Sequence, residues 1–481
     1  MGWERFSFIE RAPAEVRKHE IYIYPWESPG LNFEEAMLTG LARDGGLYVP
    51  ETIPSFSDDE IQSMADLSYE ETAFKVIAPF VGDCFSDSEI MEIIDRAYAG
   101  FGHSERAPLV ELEKNHFLLE LFHGPTLAFK DFAMQLIGQF FQFSLERRQS
   151  RVTIVGATSG DTGSAAIEAF RGLAAVDVFI LYPDGRVSDV QRKQMTTPSE
   201  KNVHALAING HFDDCQARLK DMFNDFEFRD GVNLAGVNSI NWARVLAQVV
   251  YYFSSAVKLG APNKKISFSV PTGNFGDIFA GFIAKKMGLS IDRLVVATNQ
   301  NDILHRCLTS GVYKTDKVLP SISPSMDIQV SSNFERALFY AADCDGKKVS
   351  ALMDELKNTG QFKVSESILE KLQECFVSGR VSEEETLSEI AYSYQKYSEI
   401  LCPHSAVGMF VGRKQSDAGV PMVTLATAHP AKFPKAVEKA TSIYPKLPSR
   451  MADLFDLKER ITIVENNLQS IESVVRERIQ T

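Results

Sequence analysis

The sequence has no long apolar run, few cysteines and a shortage of positive charge. No stretch of about 18 uncharged apolar residues occurs, which excludes a membrane-spanning helix, so we expect no membrane partner. The 6 cysteines among 481 residues form no C-x-x-C pair, which argues against a disulfide framework or a zinc site, so we expect no metal. Segment 1–20 carries charges without an apolar run, which is unlike a secretory signal, and we expect a cytoplasmic protein.

Acidic residues outnumber basic ones, and the formal net charge is −14. A surface of this sign repels phosphate chains, so we expect no nucleic-acid partner. Any small anionic ligand has to be held by local groups against this overall charge. The remaining composition, 44% hydrophobic and 24% charged, is that of an ordinary globular protein, and the length indicates two or three domains.

Short apolar strands alternate with glycine-rich loops and helices from about residue 117 onwards. The clearest such units have strands at 151–157, 266–270, 294–298 and 422–427. This alternation predicts an α/β fold with parallel sheets, in which ligands bind at the carboxyl ends of the strands. The first hundred residues show helical spacing instead. Residues 457–479 are also predicted to form a helix that packs over the core, with a dimer contact as the alternative.

Segment 269–277 (SVPTGNFGD) ends a strand, places two glycines in a loop and begins a helix. The free backbone N–H groups of such a helix start, together with the helix dipole, can bind a phosphate. The loop lacks the lysine of a nucleotide P-loop and the G-x-G-x-x-G pattern of a dinucleotide fold. A phosphomonoester, such as that of a cofactor, therefore suits it best, and a plain tight turn is the alternative.

Two further loops place hydroxyl groups at strand ends. Segment 158–164 (TSGDTGS) opens a helix with polar side chains, which suits a carboxylate or phosphate of a substrate or, alternatively, simple helix capping. Thr427 ends the last strand of the series, where its hydroxyl could bond a ring nitrogen without carrying charge. A turn-forming threonine is the alternative there.

Lys130 follows an apolar run and directly precedes a helix predicted over 131–143. A lysine held among Leu127, Phe129 and Phe132 would be desolvated. Desolvation lowers the pKa of an amine and frees its neutral form for Schiff-base chemistry. The alternative is a surface lysine at the start of a helix.

In combination these motifs closely resemble the threonine synthases, a family of fold-type II pyridoxal 5′-phosphate enzymes, in its long bacterial and fungal branch. The resemblance runs from about Gly40 to the C-terminus. Its motifs occur in order at 44–50, 123–131, 156–164, 181–188, 212–216, 238–244, 270–277, 323–328, 332–336 and 427–434. It departs at 23–29, where similar enzymes have a Ser-Thr-Arg-Gly-like strand, so no contact of that segment is carried over.

The resemblance implies a fold like that of the tryptophan synthase β subunit, with parallel sheets flanked by helices. It also implies conversion of O-phospho-L-homoserine and water into L-threonine and phosphate, with Lys130 as the catalytic residue that binds the cofactor covalently. The other cofactor-binding residues that it implies are Gly273, Asn274, Phe275, Gly276, Asp277 and Thr427. The substrate-binding residues that it implies are Thr158, Ser159, Gly160, Asp161, Thr162 and Arg336. Other cations in matching motifs are Arg186, Arg244 and Lys432.

Two other functions remain open on the sequence. One is a related phospho-lyase or dehydratase that ends in 2-oxobutyrate, and the other is a non-catalytic protein that binds the cofactor or phosphate. We expect a helical N-terminal subdomain at 1–100 and a large cofactor domain at 101–149 and 226–481. A small α/β domain at 150–225 is expected to carry the substrate loop. The protein is expected to be a monomer or homodimer.

Overall fold

A computed structural model describes residues 21–24, 30–42 and 45–480 of the chain. Of the segment 23–29, on which the family resemblance fails, residues 25–29 lie outside this described part. The helices that the structure describes are all too short or too polar to cross a membrane.

The fold alternates helices with short strands along most of the chain. The helices are α1 (Phe33–Thr39), α2 (Asp58–Ser63), α3 (Tyr69–Val81), α4 (Asp87–Tyr98), α5 (Lys130–Arg148), α6 (Asp161–Phe170), α7 (Asp189–Thr196), α8 (Phe212–Asn224), α9 (Phe226–Gly231), α10 (Trp242–Lys258), α11 (Gly276–Lys286), α12 (Ile303–Ser310), α13 (Phe334–Ala341), α14 (Gly346–Thr359), α15 (Glu366–Cys375), α16 (Glu383–Tyr397), α17 (Pro403–Gln415), α18 (Pro434–Thr441) and α19 (Leu468–Arg478). The strands are β1 (Ile21–Tyr24), β2 (Leu47–Pro50), β3 (Leu109–Glu113), β4 (His116–Glu120), β5 (Val152–Ala157), β6 (Val176–Pro183), β7 (Val203–Ile208), β8 (Leu234–Ala235), β9 (Ile266–Pro271), β10 (Ile291–Thr298), β11 (Val312–Lys314), β12 (Gln361–Lys363), β13 (Phe376–Arg380), β14 (Met422–Ala426) and β15 (Thr462–Val464).

The larger sheet has 6 strands in the order β13-β10-β9-β14-β4-β3. All neighbours pair in parallel except β3, which runs antiparallel to β4 at one edge. The loops that follow β4, β9 and β14 therefore leave the sheet at the same edge. These loops lead to Lys130, Gly273 and Thr427, so the sheet topology alone brings the predicted cofactor residues to one side.

The smaller sheet has 5 strands in the order β15-β7-β6-β5-β8, all paired in parallel. Its central strands lie within the interval 150–225, whereas the edge strands β8 and β15 lie beyond it. The unit around this sheet is therefore assembled from three separate parts of the chain. The Ser159 loop follows β5 at the carboxyl edge of this sheet. The predicted α/β fold with parallel sheets is confirmed.

The N-terminal helices begin at capping boxes of the form Ser-x-x-Glu. In α2, α3 and α4 the serine oxygen accepts a hydrogen bond from the glutamate N–H, and the glutamate side chain accepts one from the serine N–H. This reciprocal pairing satisfies two backbone donors and fixes the start of each helix. The helices predicted for this region are confirmed at 33–39, 58–63 and 69–81.

Helix α10 joins these N-terminal helices to the larger sheet. It is buried from Trp242 to Val257, and it contacts α3, α5 and α11. A helix that is buried on nearly all sides belongs to the protein interior. One continuous apolar core therefore runs from the N-terminal helices through α10 to the larger sheet.

The prediction of a single C-terminal helix over 457–479 is wrong for the first half of that segment. Residues 462–464 form strand β15 along β7, and the helix begins only at Leu468. Asn467 caps it by accepting a hydrogen bond from the Ser470 N–H at 2.8 Å. Ile471 and Val475 are fully buried against the smaller sheet, so the expected packing role is confirmed for α19.

Candidate active site

Lys130 is the first residue of α5, and the structure withdraws it from water. The residue is 7% exposed, and Nζ lies 4.5 Å from the centre of the Phe129 ring. The preceding loop is held by Asp131, whose carboxylate accepts hydrogen bonds from the Thr126 N–H at 2.8 Å and the Thr126 hydroxyl at 2.5 Å. The predicted desolvation of Lys130 is confirmed, and the alternative of a surface lysine is excluded.

The charges around Lys130 oppose one another. Burial lowers the pKa of Lys130 to about 8, against the opposing effect of the Asp161 carboxylate. Asp161 Oδ2 lies 3.9 Å from Lys130 Nζ, which is longer than a hydrogen bond. Although burial opposes it, the Lys432 and Lys130 ammonium groups hold the pKa of Asp161 below its usual range. A substantial fraction of Lys130 is therefore neutral at pH values near 8, where it can act as a nucleophile or base.

The loop between β9 and α11 presents free backbone donors. No described residue accepts a hydrogen bond from the N–H groups of Gly273, Asn274 or Phe275. The loop is rigid because the Asn274 side chain accepts a hydrogen bond from the Gly276 N–H at 3.1 Å, and Phe275 has a left-handed φ of 66°. A Cβ on Gly273 would lie 2.6 Å from the Ser325 carbonyl oxygen, so only glycine fits there. Free backbone donors in this arrangement at a helix N-terminus suit a phosphate.

Asp277 lies in the first turn of α11 and is 7% exposed. Its Oδ1 accepts hydrogen bonds from the hydroxyls of Tyr251 at 2.5 Å and Tyr252 at 3.1 Å. Its Oδ2 has no hydrogen-bond partner among the described residues. Burial raises the pKa of Asp277 to about 6, against the opposing effect of the two tyrosine hydroxyls. This buried carboxylate oxygen is therefore able to accept a hydrogen bond from a bound group.

Thr427 follows β14 directly and is tied to the loop that carries Lys130. Its carbonyl oxygen accepts a hydrogen bond from the Phe129 N–H at 2.9 Å, and its own N–H donates to the Ser405 hydroxyl at 3.1 Å. Ala428 also forms a β-bridge with Ala128. The Thr427 hydroxyl makes no hydrogen bond to a described residue, so it is available to a ligand beside Lys130.

The loop between β5 and α6 offers a second set of donors. Thr158 lies inside it, where its hydroxyl accepts hydrogen bonds from the N–H groups of Gly160 and Gly163, both at 2.9 Å. Gly160 has a φ of 141°, and a Cβ there would strike Gln191. The N–H groups of Ser159, Asp161 and Thr162 donate to no described residue. Helix capping by Thr158 therefore accounts for two donors of this loop and leaves others free for an anion.

The structure does not bring Arg336 into contact with these groups. Its guanidinium is 1% exposed and donates twice to the Tyr48 carbonyl oxygen and once to that of Ile240. A fourth N–H donates to the Asn333 side chain, whose own N–H groups hold the Asn274 carbonyl oxygen. Arg336 thus supports the Gly273 loop from behind, and its binding of substrate stays a prediction.

Arg244 is a different kind of buried cation. It is 3% exposed, and its pKa is lowered to about 10 by burial alone. One terminal nitrogen donates to the Val237 carbonyl oxygen at 3.1 Å, and Nε has no partner among the described residues. Since a buried charge without a counter-charge is unfavourable, Arg244 is suited to an anionic ligand.

Sequence reasoning missed the two tyrosines that hold Asp277. The signal was present, because two adjacent tyrosines at 251 and 252 lie in a mostly apolar helical segment, and a buried tyrosine hydroxyl usually finds a polar partner. It also missed Gln191, which donates to Asp161 Oδ1 at 2.8 Å, and Ser405. Among the described residues there is no group of three or more histidine, cysteine or acidic side chains placed to hold a metal.

The residues at this site fit pyridoxal 5′-phosphate on structural grounds. The free N–H groups of the Gly273 loop match its phosphate, and the desolvated amine of Lys130 matches its aldehyde. The unpaired Thr427 hydroxyl and the unpaired Asp277 oxygen match polar positions of a ring. The fit to the cofactor thus rests on groups that form no hydrogen bond within the part of the chain that the structure describes.

Three family models match the chain. They are "threonine synthase N terminus" at residues 26–98, "pyridoxal-phosphate dependent enzyme" at 101–357 and "threonine synthase, C-terminal" at 405–475. The threonine synthase of Pseudomonas aeruginosa is 51% identical over 93% of this chain and 96% of that protein. The crystal structure of PLP-bound threonine synthase from Brucella melitensis has a TM-score of 0.94 at 50% identity and covers 96% of this chain and 100% of that one. The crystal structure of threonine synthase from yeast has a TM-score of 0.89 at 41% identity, with 95% and 98% covered.

Proposed function

The chain belongs to the threonine synthase family of pyridoxal 5′-phosphate enzymes, and we propose that it converts O-phospho-L-homoserine and water into L-threonine and phosphate at the site around Lys130. The observation that carries this assignment is the buried Lys130 amine, which lies between an anion-binding loop and the Asp161 carboxylate. A buried amine without a hydrogen-bonded counter-ion is an unfavourable arrangement that chemistry at the amine explains.

Each part of the cofactor has protein groups suited to it. The N–H groups of Gly273, Asn274 and Phe275 and the dipole of α11 would hold its phosphate. The Thr427 hydroxyl and Asp277 would face its ring, and Lys130 would bind its aldehyde carbon. When bound, the cofactor supplies an electron sink that acidifies the Cα and Cβ protons of an amino acid.

Lys130 moves the protons of the reaction. As a neutral amine it would accept the proton of substrate Cα and pass it to the aldehyde carbon of the bound cofactor. Neutral again, it would accept the proton of Cβ, after which phosphate leaves from Cγ. Protons return to Cγ and Cα, and water adds at Cβ with its second proton passing to phosphate. One flexible amine whose pKa lies near the working pH is suited to serve each of these positions in turn.

Two groups of donors are available for the anionic ends of the substrate. The free N–H groups of Ser159, Asp161 and Thr162 suit its α-carboxylate. The Arg244 guanidinium suits its phosphate, because no counter-charge pairs with that cation among the described residues. These local donors let a chain of net charge −14 bind a doubly anionic substrate.

The first test removes the amine. Lys130→Ala should abolish the visible cofactor band and lower threonine formation by at least about a thousandfold, whereas Lys258→Ala, at an exposed lysine paired with Glu105, should leave both unchanged. Borohydride reduction followed by mass spectrometry should place the cofactor on Lys130. A colourless wild-type protein, or a reduced adduct on another lysine, would contradict the assignment and favour a non-catalytic binding protein.

The second test separates threonine formation from the alternative lyase. Purified protein is given O-phospho-L-homoserine, and threonine, phosphate and 2-oxobutyrate are quantified together. We expect threonine and phosphate in equal amounts with 2-oxobutyrate as a trace. Equal amounts of 2-oxobutyrate and phosphate would identify a phospho-lyase or dehydratase instead.

The proposal also includes the predicted domain division at 150–225, a monomeric or homodimeric state in solution and a location in the cytoplasm. Light scattering of the purified protein measures the mass against 53.6 kDa for one chain. A tetramer or larger assembly would contradict the predicted monomer or homodimer.

A further inference from the structure

Lys432 is a buried lysine that links the two sheets of the fold. It is 0% exposed, and Nζ lies 2.8 Å from Asp161 Oδ1 and donates to the Thr126 carbonyl oxygen at 2.7 Å. Lys432 follows β14 of the larger sheet, whereas Asp161 begins α6 after β5 of the smaller sheet. The ion pair therefore crosses between the two halves of the active site.

The other partners of Asp161 orient its carboxylate. The Gln191 side chain donates to the same oxygen, Oδ1, at 2.8 Å. The second oxygen, Oδ2, faces Lys130 Nζ at 3.9 Å without a hydrogen bond. One oxygen is thus fixed by two donors, and the other is directed at the reacting amine.

A second polar contact crosses between the sheets at the same place. Gln194 from α7 donates to the Thr126 carbonyl oxygen at 3.0 Å, so this oxygen accepts from both Lys432 and Gln194. Thr126 is itself fixed by Asp131, the neighbour of Lys130. Lys432 is therefore connected to the Lys130 loop through Thr126 and to the smaller sheet through Asp161.

Resting on the function proposed above, we propose that Lys432 is a positioning residue, which holds the Asp161 carboxylate in place beside Lys130 and neutralises it there. Asp161 would otherwise be free to form an ion pair with the Lys130 ammonium and fix that amine in its protonated form. With Lys432 in place, the two sheets meet around an amine whose neighbouring carboxylate, Asp161, is already paired with another lysine.

The charged groups that face Lys130 determine the direction in which each substitution should shift its pKa. The titratable and charged groups around it are Asp161, Asp277, Arg244, Lys432 and His404. Burial lowers the pKa of His404 to about 4, so the imidazole is neutral above pH 6. Removing the cation of Lys432 should raise the pKa of Lys130, and removing the anion of Asp161 should lower it.

The test measures the Lys130 amine in the cofactor-free protein, so it does not depend on turnover. The rate of acetylation of Lys130 by acetic anhydride is followed between pH 6 and 10.5, with each lysine quantified by peptide mass spectrometry. In Lys432→Met the midpoint of the reaction should move up by about one pH unit, which is a roughly tenfold loss of neutral amine at pH 7. Lys432→Arg keeps the charge and should stay within about 0.3 units of wild type, and Asp161→Asn should move the midpoint down.

Lys193→Met is the matched control. Lys193 also donates to two backbone carbonyl oxygens, at 3.0 and 2.9 Å, and lies 3.9 Å from a carboxylate oxygen of Glu459, but it is not among the groups that face Lys130. Its replacement should leave the Lys130 midpoint unchanged. If Lys432 were merely structural, its loss and that of Asp161 would both open and hydrate the site, and both midpoints would rise.

The proposal is overturned if Asp161→Asn raises the midpoint, or if Lys432→Met leaves it unchanged. Either result is compatible with a wild-type protein that makes threonine, so the failure of this proposal is distinct from a failure of the function. If Lys432→Met does not fold, the unchanged midpoint expected for Lys432→Arg and the lowered midpoint expected for Asp161→Asn still decide the question, and a raised midpoint in either variant overturns the proposal.

Discussion

Replacement of Asp277 by asparagine tests whether the cofactor-free protein is destabilised by a buried carboxylate. The side chain keeps its shape, and Oδ1 can still accept the hydroxyls of Tyr251 and Tyr252. The substitution removes the negative charge of the carboxylate, which burial makes unfavourable. The second oxygen of that carboxylate has no partner among the described residues. We expect Asp277→Asn to be more stable than wild type at pH 8.

The size of the effect follows from the two protonation equilibria. Burial raises the pKa of Asp277 in the folded protein from 3.8 to about 6. The folded state therefore binds this proton more tightly than the unfolded state, so the stability of wild type rises as the pH falls through 6. The gain is complete once the pH lies below 3.8, the pKa of this carboxyl group in the unfolded protein. Between pH 8 and pH 4.5 this gain is about 2 kcal/mol. The asparagine variant lacks it.

Urea unfolding of the cofactor-free proteins at the two pH values measures this difference. The free energy of unfolding of the variant, minus that of wild type, should be about 2 kcal/mol larger at pH 8 than at pH 4.5. Asp453→Asn, at an exposed carboxylate outside the helices, should show a difference within about 0.5 kcal/mol. A difference for Asp277→Asn that is constant with pH, or larger at pH 4.5, would refute the assignment of an unfavourable buried charge.

Other predictions concern the two anion sites and the smaller sheet. Gly273→Ala should weaken cofactor binding at least tenfold in a fluorescence titration, because its Cβ would lie 2.6 Å from a carbonyl oxygen, whereas Gly100→Ala, with nothing within 4 Å, should bind normally. Arg244→Gln should raise KM for O-phospho-L-homoserine at least tenfold with the cofactor band intact; an unchanged KM would remove this residue from the substrate site. Ile471→Ala should destabilise the protein by about 2–5 kcal/mol in urea, and Ile463→Ala, at a side chain 75% exposed, by less than about 0.5 kcal/mol; equal losses would show that burial of α19 contributes little.

The parts of the site that are local in sequence could be predicted from it. Strand, loop and helix follow one another directly around Gly273 and around Thr158, so the loop positions come from the alternation of apolar and glycine-rich segments. The desolvation of Lys130 followed from its aromatic neighbour Phe129, which contacts it in the structure. Parallel strand order then brings these loops to one edge, because all carboxyl ends of a parallel sheet lie there.

The parts that depend on pairs of distant residues could not be predicted. Asp161 and Lys432 meet only because two sheets pack together, and neither residue carries a local pattern that names its partner. Arg336 lies in a family motif, but its sequence context does not reveal that backbone carbonyl oxygens occupy most of its donors. Residues 462–464 fit a helical spacing but are Thr, Ile and Val, and these β-branched residues favour the strand that pairs with β7.

The position of β15 at the edge of the smaller sheet has a consequence for biosynthesis. Residues 462–464 and α19 complete a sheet whose centre is encoded some three hundred residues earlier. During translation, β5, β6 and β7 leave the ribosome long before their final neighbour exists, with the apolar face that α19 will cover still open to water. The edge of β7 and the part of that face which α8 and α9 leave open thus stay exposed over that interval, and a chain that stopped before residue 462 would keep them exposed.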